Sequence, residues 1–410
     1  MTYQETIEYL YNVTPVFEHT GASAYKEGLS NTLALDEHFG HPHRHYQTIH
    51  VAGTNGKGSC SHTLASILQE AGYKVGLYTS PHLVDFRERI RVNGQCISKE
   101  RVISFVKEER GFFEPLHPSF FELTTALAFK YFAEQKVDIA VIEVGLGGRL
   151  DCTNIIFPIL SVITNISFDH TGFLGSTLAQ IAGEKAGIIK QGVPVVIGEY
   201  NEETRPVFEE KANAMSAPLF FAQDTEELGK DIDFELKGDY QARNKQTILT
   251  AVEHLPFGID HESIRRGFAR VCENTGLAGR WQTIREAPKV VCDTGHNVGG
   301  WQYLSRQIQA QPCRQLRIVF GMVDDKDIDT VMGLLPRQAV YYWTQADNHR
   351  AIPANRIAVL AREHGLWGKS YRQVAMAYRA ALQEAEADDF IFVGGSSYVV
   401  ADFLTAIEKT

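Results

Sequence analysis

A lysine set among glycines, Gly53-Thr-Asn-Gly-Lys57-Gly-Ser59, is the strongest chemical signal in the chain. It follows an apolar run, residues 46–51, that reads as a strand. It leads into residues 59–71, which carry helical periodicity. Strand, glycine-rich turn, Gly-Lys and helix start are the parts of a phosphate-binding loop. Glycines let backbone N–H groups converge on an anion; the helix N-terminus adds partial positive charge, and lysine adds a full one. Ser59 can then offer its hydroxyl to Mg²⁺. The pattern departs from G-x-x-x-x-G-K-[ST]: Val51 stands at the first glycine position, and Gly58 separates Lys57 from Ser59. Gly53, Thr54, Asn55, Gly56, Lys57, Gly58 and Ser59 are therefore expected to hold phosphates in a variant loop. A tight turn with no ligand accounts poorly for a lysine among so many glycines.

Other side chains have the types and positions to join that chemistry. Residues 139–151, Ile-Ala-Val-Ile-Glu143-Val-Gly-Leu-Gly-Gly-Arg-Leu-Asp151, read as a buried strand ending in a carboxylate and then a glycine loop. A carboxylate at the C-terminal end of a parallel strand faces the ligand crevice, where Glu143 can hold Mg²⁺. Asp169 and His170 also follow a strand and could ligate a metal or touch a phosphate; the alternative is an Asx-type turn with a satisfied histidine. Lys185 and Lys190 fall late in a helix, where spacing alone favours solvated partners of the helix dipole. Further on, Arg280 is followed by Asp293-Thr-Gly-His296-Asn297 after a second strand. The histidine-dense segment His41-Pro-His-Arg-His45 reads as a solvated, Pro-broken loop rather than a metal site.

These residues need a scaffold of alternating strands and helices. Strands are predicted at 47–52, 74–78, 138–144, 159–165 and 194–198, with helices at 59–71, 99–109, 121–134 and 177–189. A second block has strands at 289–292, 316–320, 339–344 and 390–393, with helices at 298–309, 328–335, 371–386 and 397–407. Such alternation indicates βαβ units and mainly parallel sheets, an α/β class. Gly276-Leu-Ala-Gly-Arg280 looks like a hinge, so the expected domains are 1–282 and 283–410. A nucleotide held between them, with closure assembling the site, is the expected arrangement.

Bulk properties exclude several classes. The chain has 410 residues, 44% hydrophobic and 22% charged, which is ordinary for a soluble globular protein. A net charge of −10 argues against a general nucleic-acid or anionic-membrane binder. No apolar run is long enough for a membrane span, and the N-terminus lacks the apolar core of a signal peptide. Cys60, Cys96, Cys152, Cys272, Cys292 and Cys313 form no CxxC pair, which fits scattered thiols in a reducing cytoplasm.

Taken together, the motifs resemble the folylpolyglutamate synthase/dihydrofolate synthase family of Mur-ligase-like, ATP-dependent amide ligases. The resemblance spans nearly the whole chain. It rests on residues 50–59, Thr79-Ser-Pro-His-Leu83, Phe86-Arg-Glu-Arg-Ile-Arg91, Phe120-Phe-Glu122-Leu-Thr124, residues 143–151, Asp169-His170 and Glu184-Lys185-Ala-Gly. It continues through Gly238-Asp-Tyr-Gln-Ala-Arg-Asn244, Gly279-Arg280-Trp, residues 293–297, Gly321…Asp325-Lys-Asp327 and Gly395-Ser396. One departure is visible: the family usually reads Asp-Gly-Ala-His-Asn-Pro where this chain has Asp293-Thr-Gly-His-Asn-Val298.

The resemblance implies a Mur-ligase-like fold. It has a large P-loop domain binding ATP and folate, and a smaller Rossmann-like C-terminal domain closing over ATP and binding glutamate. It implies ATP and two Mg²⁺ ions, with Ser59, Glu143 and His170 as metal ligands and Lys185 carbamylated. Asn244 and Arg280 would contact ATP, Arg280 at the γ-phosphate, while Asp293 and His296 would reach ribose and phosphates. Lys57, Lys185, Arg280 and His296 would be catalytic. Thr79, Pro81, His82, Phe121, Glu122 and Ser396 would bind substrate. The implied reaction joins L-glutamate to folate or dihydropteroate through an acyl phosphate, in a cytoplasmic monomer that binds neither nucleic acid nor membrane. Two alternatives stay open: a peptidoglycan-precursor ligase of the Mur type, whose loops usually carry Thr where Gly58 stands, and a nucleotide-hydrolysing regulator that ligates nothing.

Overall fold

Unbroken apolar runs form the central strands, as expected of parallel strands covered on both faces. The structure, a computed structural model, describes residues 1–13, 28–225, 229–324 and 327–408. Asp325 and Lys326, quoted above, lie outside the described residues. The chain divides into two compact units, Met1–Glu235 with Ala242–Leu277, and Leu236–Gln241 with Ala278–Thr410.

Among the described residues, the first unit holds an eight-stranded sheet in the order β4-β3-β2-β5-β1-β6-β7-β8. The strands are β1 Gln47–Ala52, β2 Val75–Tyr78, β3 Ile90–Val92, β4 Gln95–Cys96, β5 Ile139–Glu143, β6 Leu160–Ile163, β7 Val195–Ile197 and β8 Leu219–Phe221. Pairing is parallel from β2 to β8 and antiparallel at β2–β3–β4. Val51 pairs with Glu143, so the glycine loop and the acidic strand end leave the sheet side by side.

Among the described residues, the second unit holds six strands in the order β13-β12-β11-β14-β10-β9. These are β9 Gln282–Glu286, β10 Lys289–Asp293, β11 Leu316–Phe320, β12 Val340–Trp343, β13 Gly368–Ser370 and β14 Phe390–Gly394. Only β9 runs antiparallel. Gly394 pairs with Asp293 on one side and Phe320 on the other, so three strands end level at one edge of the sheet.

The second unit's longer segment starts at Ala278, within several residues of the expected boundary near 282, and that unit also takes in Leu236–Gln241. Several expectations need correction. The helix after the glycine loop begins at Lys57, not Ser59, because Gly56 caps it in a left-handed conformation. The predicted helix 177–189 is Leu178–Lys185, tightening to a 3₁₀ turn at Ala186–Ile188. The helix expected at 371–386 is Val374–Gln383. Pro42–His45 is a 3₁₀ turn rather than a solvated loop, with His43 buried. His41 Nδ1 and His43 Nδ1 lie 2.6 and 2.8 Å from the Asp36 carboxylate, which binds both rings to the fold.

Helices Gln241–Glu253, His261–Ala269 and Val271–Thr275 were not anticipated. They steady the helix Lys57–Glu70 that leaves the glycine loop. Ser66 Oγ donates to the Gly267 carbonyl at 2.7 Å. His62 Nδ1 lies 2.8 Å from Thr275 Oγ1. At the helix end, Glu70 accepts from Arg266 Nε at 2.9 Å, Arg270 Nη1 at 3.1 Å and Asn274 Nδ2 at 2.9 Å. No helix among the described residues is long and apolar enough to cross a membrane.

Candidate active site

The glycine loop takes its shape from backbone that other residues resist. Gly53 has φ +145° and Gly56 φ +86°, both in the left-handed region. A Cβ on Gly53 would strike Thr164 Oγ1, and one on Gly56 would strike Asn244 Oδ1. Thr164 and Asn165, just past β6, brace the loop from behind. Thr164 Oγ1 donates to the Asn55 carbonyl at 2.5 Å, and Asn55 N donates to Asn165 Oδ1 at 2.9 Å. Ser167 N donates to Thr54 Oγ1 at 3.1 Å. Sequence reasoning missed these braces. Gly53→Ala should cost about 1–3 kcal/mol of local strain. Binding of a non-hydrolysable ATP analogue should weaken while the far-UV CD spectrum is unchanged; unchanged analogue affinity would contradict the close approach to Thr164.

Two lysines meet at this loop. Lys57 Nζ donates to the carbonyls of Gly53 and Thr54, both at 3.1 Å. Lys185 Nζ donates to the same Gly53 carbonyl at 2.9 Å. Lys185 is buried rather than solvated, which overturns the reading from helix position alone. Burial, reinforced by the Lys57 charge, lowers its pKa from 10.5 to about 7. Near neutrality a sizeable fraction of this amine is therefore uncharged. Lys190 is half-buried and donates to the Asn154 carbonyl at 2.9 Å.

The acidic side is built from β5. Glu143 is buried at its last residue, and its Oε2 accepts Ser80 N at 3.1 Å. Ser59 is buried in the first turn of its helix. His170 caps the short helix Thr171–Leu174 at φ +49°, with Nε2 3.8 Å from Asp169 Oδ1. Among the described residues no group of three His, Cys, Asp or Glu side chains is arranged to hold a metal. A carboxylate, a hydroxyl and an imidazole at strand and helix ends instead fit Mg²⁺ that keeps waters and takes its other oxygens from phosphates. Glu143, Ser59 and His170 would hold it.

A second group of predicted residues surrounds an aromatic wall. Thr79 is buried, and the Ser80–Pro81 peptide bond is cis. His82 Nδ1 accepts from Arg89 Nε at 2.7 Å, so Nε2 carries the proton and faces the Tyr11 hydroxyl at 3.2 Å. Arg89 is buried, with its guanidinium 5.2 Å from the Phe120 ring centre. Phe121 lies 5.8 Å from the Tyr78 ring. Glu122 completes a capping box with Ser119 and also accepts from Asn31 Nδ2 at 3.4 Å. Its carboxylate thus has a structural duty at the start of the helix Phe120–Gln135.

In the second unit, Asp293 is buried at the end of β10 and its oxygens are occupied. Oδ1 accepts Gly295 N at 2.8 Å; Oδ2 accepts Trp281 N at 2.7 Å and the Tyr240 hydroxyl at 2.6 Å. Burial raises its pKa, opposed by the nearby Arg280 charge. Asp293 therefore holds the turn that presents Arg280 and His296. Arg280 Nη1 donates to Thr294 Oγ1 and to the Gly279 carbonyl, and His296 Nδ1 lies 3.0 Å from the Thr294 carbonyl. Asn297 caps the helix Val298–Gln309, accepting Gly300 N at 2.9 Å. Val298 can replace proline there because the first helical N–H lacks an intrahelical partner. Ser396, past β14, is buried, and its Oγ accepts Val399 N at 3.2 Å.

Comparison with known proteins places this geometry. Residues 51–255 match the Mur ligase middle domain, and residues 279–397 match the Mur ligase, glutamate ligase domain. The structure of Escherichia coli FolC in complex with DHPP and ADP is 31% identical, with a TM-score of 0.88 over 100% of this chain and 98% of that one. A bifunctional folylpolyglutamate synthase/dihydrofolate synthase from Yersinia pestis, complexed with AMPPNP and Mn ion, is 30% identical. It has a TM-score of 0.85 over 100% of this chain and 98% of that one. The chain belongs to the folylpolyglutamate synthase/dihydrofolate synthase family. A probable bifunctional folylpolyglutamate synthase/dihydropteroate synthase from Haloferax volcanii is 34% identical over 99% of this chain, which spans 50% of that longer protein's length. Both sheets carry the Mur-ligase-like fold of the family.

Proposed function

We propose that this chain uses ATP to join L-glutamate to the carboxylate of a folate or dihydropteroate, releasing ADP and phosphate. The observation that carries the reading is the convergence of Lys57 and Lys185 on the Gly53 carbonyl, in a loop that leaves the sheet beside Glu143. Positive charge, helix N-terminus and a hard carboxylate together suit the transfer of a γ-phosphoryl group. The acceptor carboxylate oxygen attacks the γ-phosphorus, and ADP leaves. The α-amine of glutamate then attacks the acyl carbon, and phosphate leaves with the carboxylate oxygen. No protein nucleophile is required; positioning and electrostatics supply the catalysis.

Lys57 neutralises charge on the phosphates; Arg280 and His296 are assigned to ATP. Asn244, against Gly56, borders the loop. Magnesium, when bound, adds positive charge along the phosphates. Lys185 is assigned as a carbamate: its lowered pKa supplies the neutral amine that adds CO₂, and the product is an anionic oxygen ligand in place of a cation. Thr79, Pro81, His82, Phe121 and Glu122 are assigned to the acceptor, and Ser396 to glutamate. The protein is proposed to act as a cytoplasmic monomer.

Purified protein given ATP and glutamate should release ADP only when dihydropteroate or tetrahydrofolate is added, and comparing the two acceptors distinguishes a first glutamate from chain extension. ADP release that ignores both acceptors would instead support a nucleotide-hydrolysing regulator.

A further inference from the structure

His50 occupies the middle of β1, fully buried, where an apolar side chain would avoid the cost of burying polar atoms. Its Nε2 lies 2.8 Å from Thr153 Oγ1. The Thr153 hydroxyl has a single proton and donates it to Asp151 Oδ1 at 2.5 Å. His50 must therefore be the donor at Nε2, which fixes its tautomer. Nδ1 is then a bare acceptor, and it is buried with no hydrogen-bond partner among the described residues. An unsatisfied buried acceptor costs stability. The compensating value lies at Nε2, in what it aligns.

Asp151 is the next link. It is buried, its Oδ1 also accepts Thr153 N at 2.9 Å, and its Oδ2 accepts Gly145 N at 3.0 Å and Leu146 N at 2.9 Å. Those amides open the glycine loop that follows Glu143. The Phe121 ring packs against Gly145 so closely that a Cβ there would strike it. Further along, Gly148 lies against the carbonyls of Glu184 and Lys185, and Arg149 N donates to the Glu184 carbonyl at 2.8 Å. One short loop thus touches the wall assigned to the acceptor and the chain that carries Lys185.

We propose that His50 and Thr153 are positioning residues for ligation: they orient the Asp151 carboxylate, which holds the Gly145–Gly148 loop and so sets Phe121 relative to Glu143. The kinetic part rests on the acceptor reading given above; the structural part does not.

His50→Leu and Thr153→Val break the relay at two points, and Thr153→Ser restores the hydroxyl. Deleting His50 removes an unsatisfied acceptor, so His50→Leu should melt no lower than wild type. Its kcat/KM for the acceptor should nevertheless fall about tenfold, roughly the worth of one aligning hydrogen bond, with KM for ATP unchanged. Thr153→Val should match it, and Thr153→Ser should recover most of the loss. Amide exchange at Gly145 and Leu146 should speed up about tenfold in both broken variants. Wild-type exchange at these amides would overturn the relay. Faster exchange with unchanged acceptor kcat/KM would overturn its part in ligation. If His50→Leu does not fold, Thr153→Val decides. A wild-type protein with no ligase activity would sink the functional reading instead, and the exchange rates would still decide the relay.

Discussion

Lys57→Ala should lower turnover by at least about a hundredfold, the scale for removing a preorganised charge in phosphoryl transfer. The first helical turn positions Lys57, and its ammonium reaches back over the Gly53 and Thr54 carbonyls. Arginine should not rescue the site well. Its planar fork cannot occupy the small space above two carbonyls that a compact ammonium fills. Because the lysine is part-exposed and contributes no core packing, the melting temperature should hold. Single-turnover ADP formation would read the effect on the chemical step. Near-normal turnover in Lys57→Ala would remove the loop from phosphate chemistry.

This loop was legible in the sequence because its cause is local. The apolar β1, glycines at Gly53 and Gly56, and a following helix must produce such a turn wherever they occur. Glu143 was legible for a similar reason, as the polar end of a wholly buried strand. Lys185 was not. Its place at the end of the helix Leu178–Lys185 is that of a dipole partner, and only the packing of that helix beneath Gly53 buries the amine. Asp293 shows the same limit. Its Oδ2 accepts from Tyr240, more than fifty residues earlier in the chain, a partner that local position could not reveal. The helix Gln241–Glu253 escaped notice because Gln241, Arg243, Asn244 and Lys245 obscure the apolar face formed by Ile248, Leu249, Ala251 and Val252. Histidines 41 and 43 read as a solvated loop because their partner, Asp36, lies outside the segment.

Lys185→Ala should abolish most activity, and a small carboxylic acid should restore part of it. Removing the side chain deletes the proposed carbamate and leaves a space beside Gly53 that formate or acetate can enter. Carbamate formation consumes a neutral amine and CO₂ and releases a proton. With the pKa lowered to about 7, the neutral amine is scarce below that pH and dominant above it. Activity lost on stripping CO₂ should therefore return on adding bicarbonate above pH 7, and return much less below it. A Lys185→Ala enzyme with full activity, or one indifferent to added carboxylic acid and paired with a wild type indifferent to CO₂, would leave Lys185 a buried structural amine.

The central claim is that the acceptor carboxylate itself attacks phosphorus. Acceptor labelled with ¹⁸O in both carboxylate oxygens, incubated with enzyme, ATP and glutamate, traces that oxygen directly. One labelled oxygen should appear in each released phosphate and the other should stay in the amide carbonyl, with ADP as the only nucleotide product. Phosphate without label, or label found in AMP, would contradict an acyl phosphate and with it the assigned roles of Lys57, Lys185 and Arg280.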